Sequence, residues 1–159
     1  MSYRRYTPFC ALLTLALNLC ACGPEPATGT WLFINGEVIT NTCEIDESNP
    51  SSGNFTLINN GNGSFTIDPE DGSDPFLCTL DGADFICPER LQDNLDLPNA
   101  SIDVKVSAQG IFESDIFVSS GRQEVTITCS GDGCGAAALL FNVDFPCTAI
   151  VAFTASYKG

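Results

Sequence analysis

Apolar and polar residues alternate with a period of two along most of this chain. Ile102, Val104, Val106 and Ala108 alternate with Ser101, Asp103, Lys105, Ser107 and Gln109, which predicts a strand with one buried and one wet face. Val125, Ile127 and Cys129 alternate with Glu124, Thr126 and Thr128 in the same way. Phe55 and Leu57, then Phe65 and Ile67, flank the turn-rich stretch NNGNG at 59–63, the pattern of a hairpin. Residues 31–35, 38–45, 76–80, 83–87, 111–119 and 148–157 also read as strands. Nine or ten short strands result, separated by clusters of Gly, Asn, Asp and Pro. Helical signals are few. Residues 88–96 begin with Pro88 and suit one short helical turn. Residues 135–142 (GAAALLFN) fit either a short helix or a buried strand. The expectation is an all-β domain, an antiparallel meander that closes as a small barrel or stacks as a sandwich.

Cysteine adds covalent structure to that picture. Beyond residue 22 there are six: Cys43, Cys78, Cys87, Cys129, Cys134 and Cys147. Six cysteines in an exported domain imply disulfides, with fifteen connectivities available. A two-residue turn at Gly82-Ala83 sets Cys78 opposite Cys87, at a non-hydrogen-bonded position where side chains approach closest. A turn at Asp81-Gly82 would shift that register and misalign the pair. Cys129 and Cys134 enclose four turn-forming residues, SGDG, and close on each other. Cys43 and Cys147 then pair by elimination, joining the first part of the domain to the last.

The first residues break the alternation. MSYRRYTPF carries Arg4 and Arg5 and no acid, and CALLTLALNL at 10–19 is mostly apolar. That run is too short to span a bilayer, which takes about 20 apolar residues. A basic start, a short apolar stretch and a small-residue exit make a cleaved export signal. The exit, Leu19-Cys20-Ala21-Cys22, resembles the lipobox of bacterial lipoproteins, with Cys20 where Ser, Ala or Thr is commoner. The resemblance implies that residues 1–21 are removed and that the Cys22 thiol takes a diacylglyceryl group as the lipid-anchored N-terminus. Residues 22–29 then form a tether, lifting a single β domain at 30–159 off the membrane. An ordinary secretory signal cleaved near Ala21 is the alternative. A triacylated cysteine anchors stably, because more than one chain inserts. Gly23 stands where inner-membrane retention in enteric bacteria uses Asp, so the resemblance implies the outer membrane of the cell envelope.

Gly29-Thr30-Trp31 opens the first expected strand and resembles the start of lipocalins and wider calycins. In those families the Trp plugs one end of the barrel. No arginine in the last expected strand matches the one that packs on that Trp in lipocalins; Lys158 is the basic residue there. Without the resemblance, Trp31 is a core aromatic of a β domain.

Charge and chemistry narrow the functional classes. The full chain has six basic and twenty acidic residues, net charge -14, and losing Arg4 and Arg5 with the signal takes the mature part to -16. Such a surface repels phosphate backbones, so nucleic acid is not an expected partner. Histidine is absent, which removes Ser-His-Asp and Cys-His nucleophiles and imidazole zinc sites. The expected protein is not an enzyme; carboxylate-pair hydrolysis is the exception left open by so many acids. Asp68, Glu70, Asp71 and Asp74 form the densest acidic cluster, a calcium candidate by oxygen spacing. A solvated loop is the plainer reading, as it is for Glu44, Asp46 and Glu47. No cofactor beyond the lipid on Cys22 is expected apart from that calcium candidate.

Two roles follow. Small barrels are usually filled by their own side chains, which makes a structural or interaction domain of the envelope the leading expectation. The alternative is lipocalin-like binding of a small apolar ligand or lipid among Phe55, Phe65, Ile102, Val104, Val125 and Phe153. A calcium-stabilised surface domain is the third. In each case the membrane is a partner through the anchor.

Overall fold

The computed structural model describes residues 23–44 and 51–159; Cys22, the expected signal at 1–21, Asp46 and Glu47 lie outside them. Eight strands run β1 (Gly29–Asn41), β2 (Ser52–Gly61), β3 (Ser64–Asp68), β4 (Phe76–Asp81), β5 (Asp84–Leu97), β6 (Ala100–Ser114), β7 (Phe117–Ser130) and β8 (Cys147–Tyr157), with one helix, α1 (Cys134–Phe141), before the last. Each strand pairs antiparallel with the next, and β8 returns to pair with β1. The sheet closes. A closed barrel leaves no unpaired edge, and its interior is set by the two-residue alternation.

The β4–β5 hairpin turns at Gly82-Ala83, with Asp81 opposite Asp84 and Thr79 opposite Ile86. Cys78 and Cys87 thus face each other and form a disulfide, as do Cys129–Cys134 and Cys43–Cys147. Spacing and elimination give the same three pairs.

Three local expectations are corrected and one open alternative is decided. Residues 88–96 are not a helical turn; they continue β5, pairing Arg90 with Val106 and Leu95 with Ile102. Pro88 is tolerated because a register shift lies between Cys87 and Arg90, and proline, lacking a donor, is confined in sheets to bulges and edges. Residues 31–35 and 38–45 are not two strands, because β1 runs through a bulge between Asn35 and Val38. Residues 111–119 are not one strand: the chain reverses at Asp115 and Ile116, with Ser114 opposite Phe117. Residues 135–142 are largely helical rather than a buried strand. Helix α1 ends at Asn142, whose left-handed φ of 52° and N–H to the Ala138 carbonyl make a C-cap.

One end of the barrel is packed solid. Trp31 is fully buried, edge-on to Phe112 and Tyr157 at 5.9 Å between ring centres and stacked on Phe55 at 6.2 Å. Phe112 continues the stack to Phe65 and Phe85, at 5.5 and 5.2 Å. Leu57, Val118, Ala155 and the Cys78–Cys87 disulfide complete this core. Edge-to-face aromatic pairs contribute roughly 0.5–1.5 kcal/mol each beyond the area they bury.

The segment at 23–28 does not stand clear as a spacer. It straps across the closed end. The Ala27 N–H donates to the Asp115 carbonyl at 2.8 Å, the Glu25 N–H to Asp115 Oδ1 at 2.8 Å, and Trp31 Nε1 to the Ala27 carbonyl at 2.9 Å. Pro26 is buried beneath it. Gly23 lies so close to the β4–β5 turn that a Cβ there would meet the Gly82 carbonyl oxygen at 2.2 Å.

Candidate functional site

The other end of the barrel is open. Among the described residues, its rim is built by the acidic loop between β3 and β4, the tight turn between β5 and β6, and α1. Below the rim lies a cavity of about 400 Å³. Its walls are apolar: Phe33, Phe55, Ile67 and Phe76 on one side, Val104, Val106, Val125 and Phe153 on the other. Gly121 makes room for Phe153, whose ring carbons would sit 2.4 Å from a Cβ at that position. On β6 and β7 the lining side chains are short, Val104, Val106, Ala108 and Val125, facing the rings of Phe33, Phe55 and Phe76. Their shortness leaves the space.

Of the residues expected to face inward, Phe55, Val104, Val125 and Phe153 line this cavity. Phe65 instead belongs to the closed-end stack, and Ile102 is buried on β6 without lining it. Trp31 lies at the closed end as well. The alternation of side chains did not single out Arg90, Gln92 or Gln123, yet all three line the cavity. The first two come from the stretch read as helical; their signal was the continued i, i+2 spacing beyond Pro88.

Arg90 is the least satisfied of these. Its guanidinium carbon lies 4.0 Å from the Phe76 ring centre, a cation–π stack. Nη2 donates to Ser73 Oγ at 3.2 Å and Nη1 to the Leu91 carbonyl at 3.3 Å. Nε is buried with no partner. Burial pushes the Arg90 guanidinium down from its ordinary value, while Asp71 and Asp74 oppose that shift; arginine stays charged regardless.

The acidic loop is organised by its own turns. Ser73 donates its hydroxyl and its N–H to Asp71 Oδ1, and Gln92 reaches Asp71 Oδ2 at 3.3 Å. Asp68 Oδ1 accepts the Glu70 N–H at 3.0 Å, and Glu70 accepts from the Thr56 hydroxyl. Glu44, from the second cluster, accepts from Asn142 at 3.2 Å. The structure does not bring Asp68, Glu70, Asp71 and Asp74 into one shell: among the described residues no group of three or more His, Cys, Asp or Glu is placed to hold a metal ion.

The Ser73 hydroxyl and N–H, then Gln92 and Arg90, hold the Asp71 carboxyl below its ordinary value. A depressed carboxylate pKa stabilises the fold above the unfolded value and loses that contribution as pH falls through the folded one. Ser73→Ala is therefore expected to raise the Asp71 pKa toward the ordinary carboxylate value. Titration of its carboxyl carbon by NMR would read this, and an unmoved midpoint would refute it. Solvent screening keeps the effect on stability small at so exposed a group.

The fold and site define a closed eight-stranded antiparallel barrel, packed at one end and hollow at the other. No protein-family model matches the chain, and no curated protein or solved structure matches it either.

Proposed function

We propose that this chain is an exported lipoprotein, anchored to the bacterial outer membrane through Cys22, whose barrel binds a small amphiphile with an apolar body. The observation that carries the binding role is the half-empty barrel. An eight-stranded barrel has an interior just wide enough to be filled or to hold one small ligand. Here the aromatic core stops halfway, above it lies a cavity of about 400 Å³ with apolar walls, and ligand pockets are of that size and character. The expectation of a filled interior rested on large inward residues; Val104, Val106, Ala108 and Val125 are too short to meet across the mouth. Arg90 lines this cavity beside Gln92, and its positive charge suits an anionic head group such as a carboxylate. Binding rather than catalysis fits a chain without histidine whose six domain cysteines are in disulfides.

Native mass spectrometry of the mature protein, purified without denaturant, tests both parts. We expect acyl mass on the Cys22 peptide and a separate, non-covalent lipid-sized adduct. Binding of a fluorescent fatty acid should fall tenfold or more in Val125→Trp, since about 1.4 kcal/mol of clash suffices. Arg90→Met keeps a stem on Phe76 and removes the charge. It should weaken the fatty acid by roughly tenfold to a hundredfold, the worth of a hydrogen bond to a charged group, and leave the matching alcohol unchanged. A clean apoprotein that binds neither probe would end the ligand reading.

A second role is favoured by one observation. Leu139, Leu140 and Phe141 of α1 are exposed, Leu139 by 86%. An apolar helix tip at the rim suits contact with a partner, the interaction role expected of an envelope domain.

A further inference from the structure

We infer that the barrel stands on the membrane with its closed end down and its mouth facing away, held in that orientation by the strap rather than swinging on a linker. This rests on the reading that Cys22 carries the anchor. The strap fixes where that anchor emerges. From Ala27 back to Gly23 the chain is bonded to Asp115 and packed against Gly82, and consecutive Cα atoms are about 3.8 Å apart. Gly23 therefore lies against the β4–β5 turn, and a lipid on the residue before it is tied to this end of the barrel. Acyl chains tethered there bring the closed end to the lipid surface.

The closed end also presents side chains suited to that surface. Ile116 is 55% exposed and Phe117 36% exposed at the β6–β7 turn. That turn is the one the strap holds, through the carbonyl and side chain of Asp115. An apolar pair beside a lipid anchor buries itself among headgroups and the first acyl carbons. Glu25 on the strap, Asp81 and Asp84 at the β4–β5 turn and Asp115 at the β6–β7 turn lie at the same end, so a zwitterionic leaflet suits this contact better than an anionic one.

Exposed apolar side chains also lie along the outer wall, Leu77 and Ile86 among them, and on α1 at the rim of the mouth. The strands separating the two ends are long enough to hold them roughly 30 Å apart. Only one end of a strapped barrel can touch the anchoring membrane. The mouth, Arg90 and α1 then face the aqueous compartment, and ligand enters from that side rather than from the anchoring leaflet.

The experiment uses the wild-type acylated protein in phosphatidylcholine vesicles doped with a phosphatidylcholine carrying a photoactivatable group on its acyl chain. After irradiation and digestion, cross-linked lipid is expected on peptides bearing Ile116, Phe117 and the turn at Gly82, and absent from the peptide bearing Leu139, Leu140 and Phe141. Ile116→Ser with Phe117→Ser should lose most of the cross-link at that turn while the anchor stays inserted. Anionic lipid in the vesicles should reduce it as well. Cross-linking on the α1 peptide, with Cys22 acylated, overturns the orientation and leaves the lipoprotein reading standing. A Cys22 peptide without acyl mass overturns the lipoprotein reading itself, and the orientation with it. The mass of that one peptide tells the two failures apart.

Discussion

Replacing Trp31 with alanine is expected to destabilise the barrel by about 5 kcal/mol, the upper end for an aromatic truncated to alanine in a core. Whole domains are stable by only about 5–15 kcal/mol, so the variant would fold marginally. The size follows from what Trp31 touches. Its ring is fully buried among Phe55, Phe112 and Tyr157, and close-packed aromatic neighbours cannot collapse to fill the space. Its Nε1 also holds the Ala27 carbonyl, so the strap loses its central hydrogen bond. Trp31→Phe keeps most of the ring volume and loses that bond, and should cost about 1–2 kcal/mol. Urea unfolding followed by far-ultraviolet circular dichroism measures both, since the chain has a single tryptophan to report by fluorescence. A loss under about 1 kcal/mol for the alanine variant would mean that the closed end is not the barrel's principal core.

The parts of this architecture that were readable from the chain are those in which local and global signals coincide. The alternation from Ile102 to Ala108 marks the inner face of β6 because side chains there meet only core or only solvent. The Cys78–Cys87 register follows from a turn whose glycine adopts a φ of 63°, at Gly82, so that the covalent constraint and the turn chemistry agree. Trp31 stands at the start of β1 and ends up in the closed-end core. Where one signal contradicted another, the local one misled. Pro88 reads as a helix start, yet pairing with β6 overrides propensity and the bulge absorbs the proline. That error hid Arg90 and Gln92, and with them the polar half of the candidate site. The reversal at Asp115 and Ile116 has no Gly, Pro or Asn to announce it, and Ile116 reads as one more buried apolar residue. The strap was invisible for a different reason. A segment of composition GPEPATG reads as a linker, and only the fold reveals that Asp115 waits to accept its backbone N–H groups.

Closure between β1 and β8 is the least local feature of all, and the Cys43–Cys147 disulfide is what secures it. The two cysteines are 104 residues apart, and cross-linking a loop of about 100 residues contributes roughly 4.7 kcal/mol in the chain-entropy model. Cys43→Ala with Cys147→Ala is therefore expected to lower stability by about 4–5 kcal/mol, a fall in melting temperature of roughly 10–20 °C for a domain of this size. The same pair of changes at Cys129 and Cys134, separated by 5 residues, should cost only about 2 kcal/mol by the same relation. The contrast is the test, since both pairs lie at the open end and both remove two sulfurs. Beyond the entropy, the long bridge pins the place where Thr42 exchanges hydrogen bonds with Thr148. Its loss should fray the mouth before the core, with faster amide exchange at Thr42 and Thr148 than at Trp31. Equal losses from the two double variants would show that the β1–β8 ladder closes the barrel without help.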